Sequence, residues 1–381
     1  MTQTSENANQ KKLSFFVIAG EESGDIHGSG LITAMNKIYP TCQFVGHGGN
    51  KMAAQGVHIL EHIDNLSMVG FSEVIKHLPY MKRVMTQTIK KITEINPTRI
   101  ILIDYPGFNL RLIKKISSCG IPITYFILPQ VWAWKENRVR IIHDFVDQSL
   151  SIFPFEPAWF KERGVRAHYV GHPFSESSPP KISRRDYFKN HNLDPKNPLL
   201  VLMPGSRQQE VDRHWNILLE TTKILSSSIP NLQVIVGKAP PVTLPSKPEN
   251  FCIEHDSKAA LHFGSAAIIA SGTATLEAAV ADIPFIVCYR MSSFSWYLIK
   301  WLSKLSYASM VNLISNKEVV PEFLHNRMTP NNLSKAILPL IIDPSERKSM
   351  CNDFEQVRKL LGEPGVYDRL AKEILRKHVS C

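Results

Sequence analysis

Residues 268–281 read IIASGTATLEAAVA, and this stretch predicts a strand, a turn and a helix in direct succession. A short apolar run ends at Ser271-Gly272-Thr273, and an alanine-rich, helix-forming stretch that carries Glu277 follows at once. A strand that ends at glycine and opens a helix presents free N–H groups and a positive dipole end to an anion. We therefore expect Ser271, Gly272 and Thr273 to bind a diphosphate. Glu277 would accept hydrogen bonds from ribose hydroxyls.

A second loop of the same kind lies in residues 199–207, which read LLVLMPGSR. The continuous apolar run is typical of a buried parallel strand. Gly205 lets the backbone approach a ligand closely, and Arg207 can donate two hydrogen bonds to phosphate oxygens. We expect Ser206 and Arg207 to bind the same diphosphate.

Composition limits the class of protein. The chain has 381 residues, of which 44% are hydrophobic and 20% charged, and this length fits two globular domains. Six cysteines without a CxxC pair favour reduced thiols in the cytosol over a disulfide frame or a zinc site. The net charge of +10 favours an anionic partner.

Apolar runs alternate with amphipathic stretches along the chain, which predicts parallel sheets covered by helices on both faces. The predicted strands are Phe15–Ile18, Gln43–Val45, Ile100–Ile103, Ile123–Phe126, Gln148–Ile152, Ala167–Val170, Leu199–Met203, Gln233–Val236, Ala267–Ile269 and Phe285–Val287. The predicted helices include 27–38, 80–95, 109–118, 212–228, 272–281 and 331–342.

Domain boundaries follow from the polar, proline-rich segment 171–197, which resembles a linker. We predict a loose tail at 1–12, an acceptor-binding Rossmann-like domain at 13–175 and a sugar-nucleotide domain at 176–349. A C-terminal helix at about 350–381 is expected to pack back on the first domain.

The first domain has its own glycine-containing segment, AGEESGDIHG at 19–28, directly after the first strand. Its glycines do not match GxGxxG, and its three acidic residues would repel a pyrophosphate. We interpret it as a loop on the acceptor side. The residues expected to face a polar ligand there are Gly20, Glu21, Ser23, Gly24 and Asp25.

Asp104 is the candidate catalytic carboxylate. It follows the apolar run 101–103 and precedes Pro106-Gly107, and ligands of open α/β sheets bind at such strand ends. The alternative interpretation is that Asp104 caps a helix. Because Asn109 is itself a good helix cap, the functional interpretation is favoured.

Taken together, the motifs resemble the lipid-A-disaccharide synthases, glycosyltransferase family 19. The matching segments run in the order of that family and cover nearly the whole chain. They are AGEESGDIHG (19–28), FVGHGG (44–49), MVGFSEV (68–74), IDYPGFN (103–109), PQVWAWKENRV (129–139), PFE (154–156), VGHP (170–173), LMPGSR (202–207), ASGTATLEA (270–278) and YRMSSFSW (289–296).

This resemblance implies a GT-B architecture, in which two Rossmann-like domains face each other across a cleft. It also implies inverting transfer of 2,3-diacylglucosamine from its UDP derivative to the 6-hydroxyl of 2,3-diacylglucosamine 1-phosphate, without a metal or other cofactor. Asp104 would be the base, and Asn312 matches a family position near the donor. Gly107 stands where some relatives carry a second acidic residue, so the base role is not given to that position.

Two alternatives remain open. Another GT-B enzyme, such as a UDP-N-acetylglucosamine 2-epimerase, would share the nucleotide-binding half. A basic nucleic-acid-binding protein would need clustered Lys and Arg with interleaved aromatics, whereas the basic residues here are spread along the chain. We therefore expect no nucleic-acid partner. The sequence leaves the oligomeric state open, with a homodimer as one alternative.

Acylated substrates imply a peripheral protein on the cytoplasmic face of the inner membrane. Residues 68–85 place apolar side chains at near-helical spacing beside Lys76, Lys82 and Arg83, which suits docking on an anionic surface. We expect Pro79 to break this run into a projecting helix–turn–helix. The predicted docking residues are Phe71, Val74, Ile75, Leu78 and Met81. The alternative is an ordinary amphipathic helix packed on its own sheet. A second candidate for docking is the segment 294–305.

Overall fold

A computed structural model of the chain describes residues 13–66, 71–240, 242–292, 296 and 305–376, with the backbone alone at 71–77. These residues form two compact units. The first contains the chain up to Pro173 together with the C-terminal residues from Glu363, and the second runs from Phe174 to Gly362.

The first unit contains one parallel sheet. Its strands are β1 (Ser14–Ile18), β2 (Gln43–Gly48), β3 (Val57–His62), β4 (Arg99–Ile103), β5 (Ile123–Phe126), β6 (Gln148–Ser151) and β7 (Ala167–Tyr169). They lie in the order β3-β2-β1-β4-β5-β6-β7. The chain order reverses between β1 and β4, which is the topological switch point of a Rossmann fold.

Helices cover both faces of this sheet because its central strands are apolar on both sides. They are α1 (Glu22–Ile38), α2 (Asn50–Ala53), α3 (Ile63–Leu66), α4 (Phe71–Ile95), α5 (Pro106–Ile116), α6 (Val139–Phe145) and α7 (Glu156–Lys161). Phe16, Ile100 and Ile113 belong to the core that α4 and α5 close.

The second unit repeats the arrangement. Its strands are β8 (Leu199–Met203), β9 (Gln233–Gly237), β10 (Phe251–Glu254), β11 (Ala266–Ala270), β12 (Phe285–Tyr289) and β13 (Glu322–Leu324). Their order, β10-β9-β8-β11-β12-β13, is that of the nucleotide-binding Rossmann sheet, with the switch point between β8 and β11. The described helices are α8 (Arg184–Asn190), α9 (Gln208–Ser228), α10 (Ser257–Phe263), α11 (Ala274–Val280), α12 (Met310–Ser315), α13 (Pro330–Ile342) and α14 (Pro344–Leu360).

The end of the chain returns to the first unit through α15 (Val366–Leu375), which packs on α1. Gln148 on β6 donates to the carbonyl of Glu373 at 3.0 Å, and Arg369 donates to the carbonyl of Val170 at 3.0 Å. The predicted returning segment began at about 350, but α14 packs against α11, α12 and α13 of the second unit. The return therefore begins at Glu363.

Three strands were not predicted, namely β3, β10 and β13. Each includes a charged or histidine side chain, so the continuous apolar run that identifies a buried strand is missing. The predicted break at Pro79 is also wrong, because α4 runs through it as one helix. Tyr80 and Met81 pack on the core beyond the proline, and Val84 and Met85 are buried.

Candidate active site

Polar loops follow the two strands at the switch point of each sheet. In the first unit, Gly20 and Glu21 come after β1 and Asp104 comes directly after β4. In the second unit, the loop 204–207 comes after β8 and the turn 271–273 comes after β11. Ligands of open α/β sheets bind at this point, so both units present the predicted site residues where the topology favours a ligand.

Asp104 sits in a strained turn that the surrounding structure holds firmly. Asp104 and Tyr105 both have left-handed backbones, with φ of 47° and 48°. The Asp104 carbonyl accepts hydrogen bonds from Asn109 Nδ2 at 2.7 Å and from the Tyr125 hydroxyl at 2.8 Å. Such conformations cost about 1–3 kcal/mol per residue and cluster at functional sites. The helix predicted to start near Asn109 starts at Pro106, and Asn109 fixes the Asp104 turn from inside it.

The electrostatic environment makes Asp104 a stronger base than an ordinary aspartate. Burial raises the pKa of Asp104 to about 6, the negative charge of Glu21 adds to the rise, and the Tyr105 N–H opposes it. The carboxylate is therefore ionised at neutral pH and more ready to accept a proton than a solvated one.

The predicted acceptor-side loop is mostly helical. Glu21 is the exposed residue that precedes α1, whereas Ser23, Gly24 and Asp25 lie in the first turns of that helix. The prediction that Asp25 faces a ligand is wrong, because its buried carboxylate accepts three backbone N–H groups at the start of α2. Gly20 permits close packing, since a side chain there would collide with the ring of Tyr105.

The second unit contains a pocket of about 420 Å³ at the carboxyl ends of β8, β9 and β11. It brings together the predicted nucleotide-binding residues Ser206, Arg207, Ser271, Gly272, Thr273 and Glu277. The pocket also contains Lys238 and His255, which were not predicted from the sequence. Lys238 follows β9 directly, a position that could have identified it, whereas His255 follows the unpredicted β10.

Glu210 occupies backbone N–H groups of the loop after β8, which are therefore not available to a ligand. Its carboxylate accepts the backbone N–H groups of Ser206 at 3.1 Å and Arg207 at 3.3 Å, and the Tyr289 hydroxyl at 3.0 Å. These loop amides are already satisfied, so Ser206 and Arg207 are left with their side chains for a ligand. The Arg207 side chain is 76% exposed. Glu210 stands three residues after Arg207, the spacing of a capping box, which is the sequence signal for this role.

Three further predicted nucleotide-binding residues, Glu277, Ser271 and Asn312, lie in different surroundings from one another. Glu277 lies in the pocket and accepts a hydrogen bond from the Ser257 hydroxyl at 3.1 Å, and burial is the main cause of its raised pKa. The Ser271 hydroxyl donates to the carbonyl of Ala308 at 2.8 Å, so it holds the turn. Asn312 does not line the pocket.

The Asn312 amide is fully buried and its hydrogen bonds are structural. Its oxygen accepts the N–H groups of Val319 and Val320, and its nitrogen donates to the carbonyl of Val320 and to Glu322. The interpretation of Asn312 as a donor-binding residue is therefore wrong for this structure, in which it joins α12 to β13.

Comparison with known proteins identifies the family of this chain. A family described as lipid-A-disaccharide synthetase matches residues 15–374. The chain is 35% identical over 367 residues to the lipid-A-disaccharide synthase of Myxococcus xanthus, covering 94% of this chain and 96% of that one. The chain belongs to the lipid-A-disaccharide synthase family. The Coxiella burnetii synthase is 32% identical, with 95% and 97% covered.

Solved structures place this synthase-family chain in the GT-B fold. The Neisseria meningitidis UDP-GlcNAc 2-epimerase bound to UDP-GlcNAc has a TM-score of 0.60 at 10% identity, covering 96% of this chain and 98% of that one. The calicheamicin glycosyltransferase CalG4 has a TM-score of 0.57 at 13% identity, covering 98% and 100%. The predicted fold class, two Rossmann-like domains, is confirmed, and the chain is a glycosyltransferase of lipid A biosynthesis.

The predicted membrane segment is only partly described. Leu78 on α4 is 51% exposed, and Met81 is half-buried against the core. Phe71, Val74 and Ile75 belong to α4, but their side chains lie outside the described residues. Most of the segment 294–305 lies outside them as well. Within the described part of the chain, no helix is long and apolar enough to cross a bilayer, and no group of acidic, histidine and cysteine side chains has the arrangement of a metal site.

Proposed function

We propose that the chain transfers 2,3-diacylglucosamine from UDP-2,3-diacylglucosamine to the 6-hydroxyl of 2,3-diacylglucosamine 1-phosphate, with inversion at the anomeric carbon and release of UDP. Membership of the family supports this reaction class. The observation that carries the proposal is the Asp104 carboxylate, held at the switch point with its pKa raised to about 6.

In the proposed step, Asp104 accepts the proton of the acceptor 6-hydroxyl as the hydroxyl oxygen attacks C1 of the donor sugar. The bond between C1 and the diphosphate oxygen breaks, and its electron pair leaves with UDP. A positioned general base contributes about 10²–10⁴-fold to such a step. The strained turn at Asp104 and Tyr105 supports this role, because it fixes the carboxylate before the acceptor binds.

We place UDP in the pocket of the second unit. Arg207 and Lys238 supply positive charge to the diphosphate, which becomes more negative as the C1–O bond breaks. Gly272 and Thr273 supply N–H groups at the start of α11. Glu277 accepts hydrogen bonds from the ribose hydroxyls. Its carboxylate is half-buried and lies in this pocket, which supports that role.

We propose further that α4 docks on the anionic cytoplasmic face of the inner membrane, so that acylated substrates reach the protein from the bilayer. Leu78 supports this surface because it is a large apolar side chain at 51% exposure. The exposed Lys82 and Arg83 on the same helix would attract anionic lipid headgroups.

The test is incubation of the purified protein with UDP-2,3-diacylglucosamine, with and without 2,3-diacylglucosamine 1-phosphate. UDP release that depends on the acceptor, with a disaccharide 1-phosphate by mass spectrometry, supports the proposal. UDP release without a disaccharide would replace it with hydrolysis. In a parallel incubation with UDP-N-acetylglucosamine, conversion to the 2-epimer would replace it with epimerisation.

A further inference from the structure

The first unit carries a second concave surface, apart from the strand-end loops. The end of α5, the 3-10 turn Glu136–Arg138 and α6 line a groove of about 680 Å³. Four of its side chains are cationic, namely Lys114, Lys135, Arg138 and Arg140. We call this surface the basic groove.

Little within the basic groove neutralises these cations. Its acidic residue, Asp144, lies 3.5 Å from the guanidinium of Arg140. The nearby Glu136 is paired with Arg163 at 2.7 Å. Among the described residues, Lys114, Lys135 and Arg138 have no carboxylate within ion-pair distance. Like charges gathered in one concavity repel each other, and an anionic ligand that enters the groove relieves that repulsion.

Two of the four cations lie beside an aromatic ring. Trp134 is 58% exposed, with Lys135 Nζ at 4.4 Å and Arg138 Cζ at 5.9 Å from its ring centroid. Lys135 has a left-handed backbone with φ of 58°, and its carbonyl accepts the N–H of Arg138 at 3.0 Å. These contacts restrict both side chains before a ligand arrives, which lowers the entropy lost on binding.

The basic groove lies within electrostatic reach of the residues that hold the base. The Tyr125 hydroxyl donates to the Asp104 carbonyl at 2.8 Å. Burial raises the pKa of Tyr125 and the charge of Asp104 adds to the rise, while the charge of Arg138 lowers it. The loop that carries Lys135 and Arg138 follows β5, which pairs with β4, so this loop leaves the edge of the sheet at which Asp104 follows β4.

We propose that the basic groove binds the phosphomonoester of the sugar acceptor, so that the ring it carries presents its 6-hydroxyl to Asp104. This inference rests on the proposed function and adds a binding site to it. A phosphomonoester carries about −1.5 to −2 charges at neutral pH, and a guanidinium can donate two parallel hydrogen bonds to it. The groove would then make the protein selective for phosphorylated over unphosphorylated acceptors.

The test compares two acceptors in detergent micelles, 2,3-diacylglucosamine 1-phosphate and the same compound without phosphate. The variant is Lys114→Gln combined with Arg138→Gln. Its matched control is Arg111→Gln combined with Lys115→Gln, which removes the same charge from exposed positions on α5 outside the groove. Thermal unfolding confirms that both variants are folded.

In the groove variant, the KM for the phosphorylated acceptor should rise roughly tenfold or more, as expected for lost charge-assisted hydrogen bonds. The KM for the unphosphorylated acceptor should stay within about twofold, and the control should resemble wild type in both. An unchanged KM, or an equal rise for both acceptors, would overturn the proposal.

Two further measurements distinguish the acceptor phosphate from a lipid headgroup, and distinguish failure of the groove proposal from failure of the proposed function. Co-sedimentation with phosphatidylglycerol vesicles should be unchanged in the groove variant. Lost vesicle binding without a change in acceptor selectivity would identify the groove as a headgroup contact and overturn the proposal. If wild type forms no disaccharide, the proposed function fails, and calorimetry with glucosamine 1-phosphate and with glucosamine then tests whether the groove binds phosphate. Tighter binding of glucosamine 1-phosphate that the groove variant loses supports the proposed phosphate site. Equal binding of the two compounds by wild type refutes it.

Discussion

Replacing Asp104 with asparagine should lower turnover and raise stability in the same protein. The carboxylate is held where its charge is poorly solvated, so its pKa is about 6 in the folded state against an ordinary value of 3.8. Each pKa unit corresponds to 1.36 kcal/mol, so the ionised group costs the folded state about 3 kcal/mol at neutral pH. Asparagine keeps the shape and removes both the charge and the basicity.

The sign of the pH dependence follows from linkage. Between about pH 4 and pH 6, the folded protein holds a proton on Asp104 that the unfolded chain has lost, so stability falls as pH rises through this window. The difference in unfolding free energy between the variant and wild type should be small near pH 4 and reach about 3 kcal/mol by pH 7. In wild type, kcat/KM should fall as pH drops below about 6, because Asp104 becomes protonated.

The assay pairs urea unfolding at a series of pH values with initial rates of UDP release. We expect a loss of about 10²–10⁴-fold in turnover and a gain of about 3 kcal/mol in the free energy of unfolding at pH 7. Asp64→Asn is the control, because its side chain is 81% exposed and lies outside the site. A variant with near-wild-type turnover, or one less stable than wild type at pH 7, would refute the reasoning.

Three other perturbations test the remaining parts of the account. Arg207→Ala should weaken UDP binding about tenfold by calorimetry, whereas the exposed Arg213→Ala on α9 should not, and equal losses would remove Arg207 from the nucleotide site. Glu210→Ala leaves two loop amides without their acceptor, so it should destabilise the second unit by about 1–3 kcal/mol in urea unfolding, and no change would disprove that role. Leu78→Ser should reduce binding to anionic vesicles with UDP affinity intact, while Ile95→Ser, at 37% exposure on the same helix, should not. Equal vesicle binding by both would place the docking surface elsewhere.

The sequence was most informative where one local pattern determined the structure. An apolar run followed by Pro-Gly-Ser or Ser-Gly-Thr predicted β8, β11 and the turns after them, because a buried parallel strand is apolar on both faces. The same pattern located Asp104 at the end of β4. Six of the seven predicted nucleotide-binding residues therefore meet in one pocket.

The sequence was least informative where a polar side chain is used by a distant part of the chain. Asp25 looks like a ligand-facing carboxylate, but its oxygens cap α2, which starts at Asn50. Asn312 likewise satisfies backbone groups near β13. Local patterns do not reveal such partners, because the partners become neighbours when the sheet assembles.

Pro79 illustrates a different failure. A proline inside a helix removes one hydrogen bond and usually breaks or kinks the helix. In α4 the residues that follow it, Tyr80, Met81 and Val84, pack on the core of the first unit, and this contact holds the helix together through the proline. Tertiary packing outweighs local propensity there.

The most direct test of the central claim is the anomeric configuration of the product. Wild-type protein, UDP-2,3-diacylglucosamine with its α-linked donor sugar and 2,3-diacylglucosamine 1-phosphate would be incubated together, and the isolated lipid analysed by proton NMR. We predict a β-1,6-linked disaccharide with the large anomeric coupling of that configuration, formed by wild type and not by Asp104→Asn. An α-linked product, or equal formation of the β-linked product by both proteins, would contradict it.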